Sequence, residues 1–365
     1  MADPVHSPDV SLAQDESFVA TSHRGLTYPL GERVPDVGTA IAVAPGVHWV
    51  RIPMAGPLDH INCWLVADGD ATTIVDTGLN VEASVAAWRA LFAVAPLASA
   101  PPARVICTHF HPDHIGLAGW LCRKFEAPIW MTRGEWLTGR LLTADVRDAV
   151  PDEQIDFWHA AGWDADQIAA AQAKGFGQFR RMVAPLPIGY RRIVDGEAVA
   201  IGDATWRVVV GSGHCPEHAC LWNARDGVLI AGDQVLPRIS SNVSLTASEP
   251  EADPLGEWLA SIERLLQLPD DLLVLPAHGA PFTGLHARLA ALRDEHRKRL
   301  DILEGFLSEP RRATDCFPRM FRRTITGDML GLATGETMAH LRRLEVEGRA
   351  VRDVRDGVWW YRSQA

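Results

Sequence analysis

The chain has 365 residues, with 46 acidic against 35 basic side chains and a formal net charge of −11. That sign argues against a general polyanion-binding protein, which needs a basic face, though it leaves room for a local basic patch. Hydrophobic residues make up 47% and charged residues 22%, the balance of a globular protein that buries a real core. The length calls for one large domain plus a small one.

The amino terminus, Met1-Ala2-Asp3-Pro4, continues polar and acidic. It has no basic n-region and no apolar h-region. No stretch approaches the length of a membrane span. The six cysteines (Cys63, Cys107, Cys122, Cys215, Cys220, Cys316) are scattered, and none forms a C-x-x-C pair. A reduced, cytoplasmic setting is the expectation, with no membrane partner.

Residues 1–25 are polar with little periodicity and are expected to be mobile; 26–38 read as an extended lead-in. Ile41-Ala42-Val43 and the run Val47 to Ile52 form short strands split by the turn signal Pro45-Gly46. Ile61 to Ala67 and Thr72 to Val75 read as a hairpin that ends at Asp76-Thr77-Gly78. Val81, Val85, Trp88 and Leu91 fall at helical spacing and predict a helix over 81–93.

The densest chemistry follows. Arg104-Val105-Ile106-Cys107 reads as a buried strand, and Ile115 to Cys122 as the start of a buried helix. Between them lies Thr108-His109-Phe110-His111-Pro112-Asp113-His114. His109 and His111, two apart, can point the same way on extended chain. Asp113 and His114 come as the chain turns and face a neighbouring point. This spacing suits two metal ions side by side.

Residues 134–190 read as a helical insertion, with helices from Glu135 through Val150, Asp152 through Ala161 and Asp164 through Lys174. Its aromatics, Trp158, Trp163, Phe176, Phe179 and Tyr190, either line an apolar pocket or form the insertion's own small core. Strands return at 197–201 and 205–211, leading to Ser212-Gly213-His214. Gly227 to Gly232 ends at Asp233, and Leu272 to Ala277 ends at His278. The loop Gln234 to Pro254 is long, and its Leu236, Pro237, Arg238, Ile239, Ser240 and Asn242 are candidates for touching substrate. Asp253 to Leu268 reads as a capped amphipathic helix. His286 to Phe306 reads as a charged helix with a solvated face that includes His296 and Arg299.

The tail, 308–365, carries 11 Arg and 8 acidic residues, a charge of +3. Met338 to Gly348 reads as a helix. Arg349–Val354 and Val358–Tyr361 read as a hairpin with an Asp356-Gly357 turn.

The run His109-Phe110-His111-Pro112-Asp113-His114 resembles the H-x-H-x-D-H signature of the metallo-β-lactamase-fold hydrolases. The later strand ends at His214, Asp233 and His278 match that family's remaining ligands in order and type. The resemblance covers roughly residues 40–300. It implies an α+β fold: a four-layer αββα sandwich with a helical insertion and a small C-terminal winged-helix-like domain, like the one that ends the endoribonuclease branch. The implied organisation is an N-terminal segment 1–25, a catalytic domain 26–307 with the insertion at 134–190, and the tail domain 308–365. It further implies metal ligands His109, His111, Asp113, His114, His214, Asp233 and His278, with Asp233 bridging and Asp113 also serving catalysis. Asp76 resembles the residue that hydrogen-bonds to the ligands. His218 is either such a partner or structural, and Asn62 and His60 are candidates for polarising substrate.

With His and Asp and no thiolate ligand, two Zn2+ are the default, and iron or manganese also suit the set. True metallo-β-lactamases put Cys where this chain has Asp233 and lack the equivalent of His114. Flavin-linked di-iron oxygen reductases replace an early His with Glu and add a flavin domain. The basic glutathione-binding tail of glyoxalase II is not found. The expectation is a hydrolase using a metal-bridging hydroxide on a small-molecule ester, thioester or lactone. A phosphodiesterase or endoribonuclease using the tail to hold RNA is the first alternative, and nucleic acid is the less favoured partner. A non-hydrolytic mono-iron dioxygenase is the second. Homo-oligomerisation is left open.

Overall fold

The computed structural model describes residues 19–56 and 58–364. Most of the expected mobile segment, residues 1–18, lies outside that range. In the described part of it and just beyond, Thr21–His23 and Leu26–Tyr28 pair as a small antiparallel hairpin.

Two sheets form the centre. The first holds seven strands in sequence order: Ile41–Ala44, Val47–Pro53, His60–Asp68, Ala71–Val75, Pro102–Ile106, Ile129–Met131 and Arg191–Arg192. Its first four pair antiparallel and its last three join in parallel. The second holds Ala198–Ile201, Ala204–Gly211, His218–Asn223, Val228–Gly232 and Leu273–Pro276, and only the last pair is parallel.

Strand alternation sends one set of side chains inward between the sheets. Trp49, Trp64, Val66, Val75, Ile106, Trp206, Val208, Leu221 and Ile230 meet there in one apolar cluster. Trp49 and Trp64 stack at 6.2 Å, both fully buried. Burying each such ring removes about 150–250 Å² from water, on the order of 5 kcal/mol.

The outer face of the first sheet is covered by the helices Glu82–Leu91, Ala118–Phe125 and Arg133–Ala144, around Trp88, Leu121 and Trp136. On the outer face of the second sheet lie Pro254–Leu265 and Leu285–Phe306. Helix, sheet, sheet, helix is the four-layer α+β sandwich expected from the motif. Asp253 caps its helix by accepting from the Gly256 N–H, as the Asp-Pro start suggested.

Three expectations need correction. The first insertion helix ends at Ala144, not Val150, and the others run Asp152–Ala160, Ala165–Ala173 and Phe179–Met182. The insertion's aromatics do not gather in one place. Trp158 and Trp163 stack at 5.0 Å and turn toward the tail, where Trp163 donates to Thr334; Tyr190 stacks on Trp136. Finally, His296 is not on a solvated face: Leu285–Phe306 buries it with Leu289, Leu292, Leu300 and Leu303.

The tail comprises the helices Ala313–Met320 and Leu330–Val346 and the hairpin Ala350–Arg355/Val358–Ser363. Asp356 and Gly357 both have positive φ, as the two-residue turn demands. Its apolar face joins Met338, Leu341, Leu344 and Tyr361 to Trp258 and Leu289, in the same cluster that covers the second sheet.

Candidate metal centre

The polar residues singled out in the sequence stand at the carboxyl ends of strands, along one edge of the sandwich. Ala71–Val75 runs into Asp76, and Pro102–Ile106 into the turn that carries His109 to His114. Ala204–Gly211 leads to His214, Val228–Gly232 to Asp233 and Leu273–Pro276 to His278. Such strand ends are the usual place for ligands in open α/β sheets.

All seven predicted ligand residues come together there. His109, His111, His214 and Asp233 form one group whose donor atoms lie within 4.8 Å of one another, and Asp113, His114 and His278 form a second. Asp233 stands between them. Its Oδ2 is 3.4 Å from His214 Nε2 and 3.6 Å from His114 Nε2, and its Oδ1 is 3.6 Å from His278 Nε2.

The hydrogen bonds decide which ring nitrogen faces inward. His214 Nδ1 meets the Asn242 carbonyl at 2.7 Å, and His278 Nδ1 the His60 carbonyl at 3.0 Å. A carbonyl only accepts, so each Nδ1 carries a proton and each Nε2 is the nitrogen left to offer a lone pair to a cation when the ring is neutral. His114 Nδ1 is held by Asp76 Oδ2 at 2.8 Å. The Thr108 hydroxyl donates to Asp76 and accepts from His109 Nδ1 at 3.1 Å. His109 and His214 thus aim their Nε2 atoms at each other, 3.3 Å apart, and His111 brings its Nδ1 to 2.8 Å from His109 Nε2. Neutral nitrogens facing one another repel unless a cation sits among them. Separations near 3.3 Å are those of neighbouring ligands at roughly 2.0–2.1 Å from one ion.

The electrostatics differ between the two clusters. Burial above all pushes the His111 imidazole down to about 3. Burial holds His109 well below the ordinary value too. Both rings are therefore neutral near pH 7, the form that binds a cation. In the second cluster, against the cost of burial, Asp76 raises His114 and Asp233 raises His278. The two rings in turn keep the Asp233 carboxyl well below the usual range. A cation binding there would displace their inward protons. His114 Nε2 and Asp233 Oδ1 are buried with no hydrogen-bond partner among the described residues. A buried polar atom left this way is costly, and a cation would satisfy both.

Around the centre the structure sorts the remaining candidates. Asp76, at φ +62, takes hydrogen bonds from Thr108 N, Thr108 Oγ1 and His114. His218 accepts from the Asp233 N–H at 3.1 Å, so it fixes the bridging position from behind. Asn62 is not free to polarise a substrate. Its amide donates to the carbonyls of Pro276 and Gly279, and its oxygen accepts from Trp49 Nε1, so it clamps the loop that bears His278. The His60 side chain is tied to Asp59 through Nδ1. Cys215 is buried and shares the surroundings of Glu135.

Glu135 went unrecognised in the sequence. Fully buried, its carboxylate accepts from Phe110 N at 2.8 Å and from Glu217 N at 2.6 Å. It thereby joins the turn of His109 and His111 to the loop of His214. An acid beside Trp136 at the start of an apolar helix was the available signal. Asn242 links the centre to the tail: its carbonyl orients His214, and its amide nitrogen lies 3.3 Å from Glu336 Oε2. Arg299 holds Glu336 at 2.6 Å, and Leu245 N donates to Gly335 O.

Comparison with known proteins gives the same picture. The model of the metallo-beta-lactamase superfamily matches residues 56–278, and that of the metallo-beta-lactamase-like C-terminal domain matches residues 300–364. A beta-lactamase domain protein from Burkholderia ambifaria superposes with a TM-score of 0.85 at 41% identity, covering 93% of this chain and 98% of that one. The probable metallo-hydrolase YqjP of Bacillus subtilis is 26% identical over 82% of this chain and 92% of its own. The acyl-coenzyme A thioesterase MBLAC2 of Gallus gallus is 24% identical over 64% of this chain and 77% of its own.

Proposed function

The chain belongs to the metallo-beta-lactamase superfamily, and from that premise we propose that it is a dinuclear metallohydrolase acting on small acyl substrates, thioesters first, with esters and lactones beside them. His109, His111 and His214 would hold one divalent cation, and Asp113, His114 and His278 the other, with Asp233 between the two. Zinc suits this nitrogen and oxygen set, and iron or manganese fit it as well. Such a pair, when bound, supplies a deprotonated water near neutral pH and a positive hold on the oxygen that gains charge.

The protein's own groups do the rest. Asp76, Thr108 and the carbonyls of Asn242 and His60 fix each ring, so the inward nitrogens need no reorientation. Asp113, whose Oδ2 is 3.3 Å from His278 Nε2, is placed to orient the attacking water or carry its proton. The reading rests on one observation above all: inward-facing ring nitrogens, with every outward nitrogen of His109, His114, His214 and His278 already bonded.

The thioester preference is supported by the acyl-coenzyme A thioesterase among the relatives. RNA is a weaker reading. Tail arginines 342, 343, 349 and 352 are each engaged by carboxylates, and the tail's net charge of +3 is a small footprint for a polyanion. The contacts of Glu336 and Gly335 with the loop of Asn242 and Leu245 support instead a tail that buttresses the His214 side of the centre. All six cysteines are buried and free, in keeping with a reducing cytoplasm. No helix among the described residues is long and apolar enough to cross a membrane.

The test is a panel of acyl-coenzyme A thioesters, esters and lactones beside single-stranded RNA, with metal analysis of the same sample. Thioester cleavage with two cations per chain is expected. RNA cleavage lost in His111→Ala, with the panel inert, overturns the assignment; one iron per chain and no hydrolysis favours the dioxygenase reading. A related outcome concerns the tail. Glu336→Ala should weaken cation binding at the His109, His111 and His214 cluster roughly tenfold. Chelator competition reads that change, and the second cluster should respond less.

A further inference from the structure

A cavity of about 860 Å³ opens beside the centre, bordered by the hairpin of residues 21–28, by Arg51, and by the helix Leu285–Phe306. Gly279 and Ala280, the two residues after His278, line it, as do Pro237 and Arg238 from the loop after Asp233. The loops that carry two of the seven inward-facing side chains therefore form its wall.

Its charge runs against that of the whole chain. Arg24, Arg51, Arg238 and Arg288 face it, against the two carboxylates Glu32 and Glu295. Glu295 is already taken by Arg299 at 2.7 Å. Arg288 donates to the carbonyls of Leu236 and Ile239, which carry no charge, and Glu295 offsets its charge only at longer range. Among the described residues Arg24, Arg51 and Arg238 have no ion pair, although the Asp59 carboxylate acts on Arg51 at longer range, and Arg51 Nε is buried there with no hydrogen-bond partner. Arg51 and Arg238 instead rest on the rings of Trp49, at 4.8 Å, and Tyr28, at 5.6 Å. Stacking of that kind holds a guanidinium's donors in place.

Four guanidinium groups gathered in one cleft repel one another in the free protein. Together they focus a positive field and match the geometry of phosphate oxygens. The geometry points to a binding site for the phosphate-bearing end of an acyl thioester, whose reacting carbonyl would lie at the neighbouring centre. This rests on the thioester reading above. It adds that the substrate's thiol carrier ends in phosphate or pyrophosphate, and that Arg24, Arg51, Arg238 and Arg288 select it. Binding energy gathered at such a remote handle serves to position the reacting end.

The experiment uses the full, metal-loaded chain and two substrates with the same acyl group: its coenzyme A thioester, and its N-acetylcysteamine thioester, which has no phosphate. The discriminating quantity is the ratio of their kcat/KM values. Arg238→Ala, an exposed position, and Arg51→Ala should each lower that ratio by about tenfold, and the ratio should also fall with added salt. Free coenzyme A should bind the wild type by calorimetry, compete with inorganic pyrophosphate, and bind each variant about tenfold more weakly. Equal loss on both substrates, or no change in the ratio for the folded Arg238→Ala protein, overturns the site. Should the wild type cleave neither thioester, the thioester reading fails. Calorimetry still judges the cavity: wild-type protein that does not bind coenzyme A or pyrophosphate sinks it.

Discussion

Asp233→Ala should reduce hydrolysis by at least about a thousandfold and lower the metal content from two ions per chain to one or fewer. The expectation follows from where the carboxylate stands. Its Oδ2 reaches toward His214 and His114, and its Oδ1 toward His278, so one side chain serves both clusters. Removing it deletes an anion from between two cations and leaves inward-facing nitrogens on both sides without a shared counter-charge. Cation stabilisation of this kind is worth several kcal/mol in the transition state. At about 1.4 kcal/mol per tenfold, that is three powers of ten or more. Asp233→Asn keeps the volume and one oxygen but loses the charge, and should recover part of the metal and little of the rate. Metal analysis and kcat/KM, on protein whose circular dichroism matches the wild type, make the check. A variant that keeps two tightly held ions and a rate within tenfold would remove the reason for placing Asp233 at the centre.

Asp233 is legible in the sequence because its strand announces it. Val228 to Gly232 is wholly apolar, and a polar residue closing such a run must emerge at a sheet edge. The same logic exposes His214 and His278, and the local spacing exposes His109 to His114. What the sequence hides is the layer behind these residues. His214 and His278 are oriented by the carbonyls of Asn242 and His60, and every residue owns a carbonyl, so no side-chain pattern marks one. Asn62 reads as a polar group near the site, yet its three partners, on Pro276, Gly279 and Trp49, are fixed by tertiary approach. Burial of Glu135 likewise depends on the insertion helix crossing two ligand loops. The basic cavity draws Arg24, Arg51, Arg238 and Arg288 from four distant segments, which net charge averages away. The tail's helix and hairpin are readable from periodicity and turn chemistry. Its merger with the helices over the second sheet is not, because apolar periodicity says that a face is buried but not against what.

That merger makes a second large effect expected, in stability rather than rate: the protein should lose stability steeply as pH falls below 6.5. His296, on the long helix Leu285–Phe306, and His340, on the tail helix Leu330–Val346, meet at 3.2 Å with almost no access to water. His340 Nδ1 donates to the Glu336 carbonyl at 2.7 Å, so its Nε2 is bare and accepts from His296 Nδ1. A proton on His340 Nε2 would set two N–H groups against each other, and burial disfavours a charge on either ring. Burial, then His340 and Arg299, pushes His296 down to about 2; burial pushes His340 down to about 4 despite the Glu336 carbonyl. Around them stand Trp258, which meets the His296 ring edge-on, and the Arg299–Glu336 ion pair, whose positive partner further disfavours a charged imidazole. Above pH 6.5 neither the folded nor the unfolded chain protonates these rings, so they add no pH dependence. Below it the unfolded chain binds the protons and the folded chain does not. Each histidine then subtracts about 1.4 kcal/mol per pH unit, down to about pH 4 for His340 and further for His296. At pH 5 the two together withdraw roughly 4 kcal/mol, a large share of a typical domain's stability. Urea unfolding at pH 7.5, 6, 5 and 4.5 measures the slope. Since buried histidines at the centre contribute as well, the comparison that counts is with His340→Gln and His296→Gln. Each should be less stable at pH 7.5 but shallower in slope by about 1.4 kcal/mol per unit. Parallel slopes in wild type and variants would mean that these rings take up protons in the folded chain, and that the tail is not closed over them.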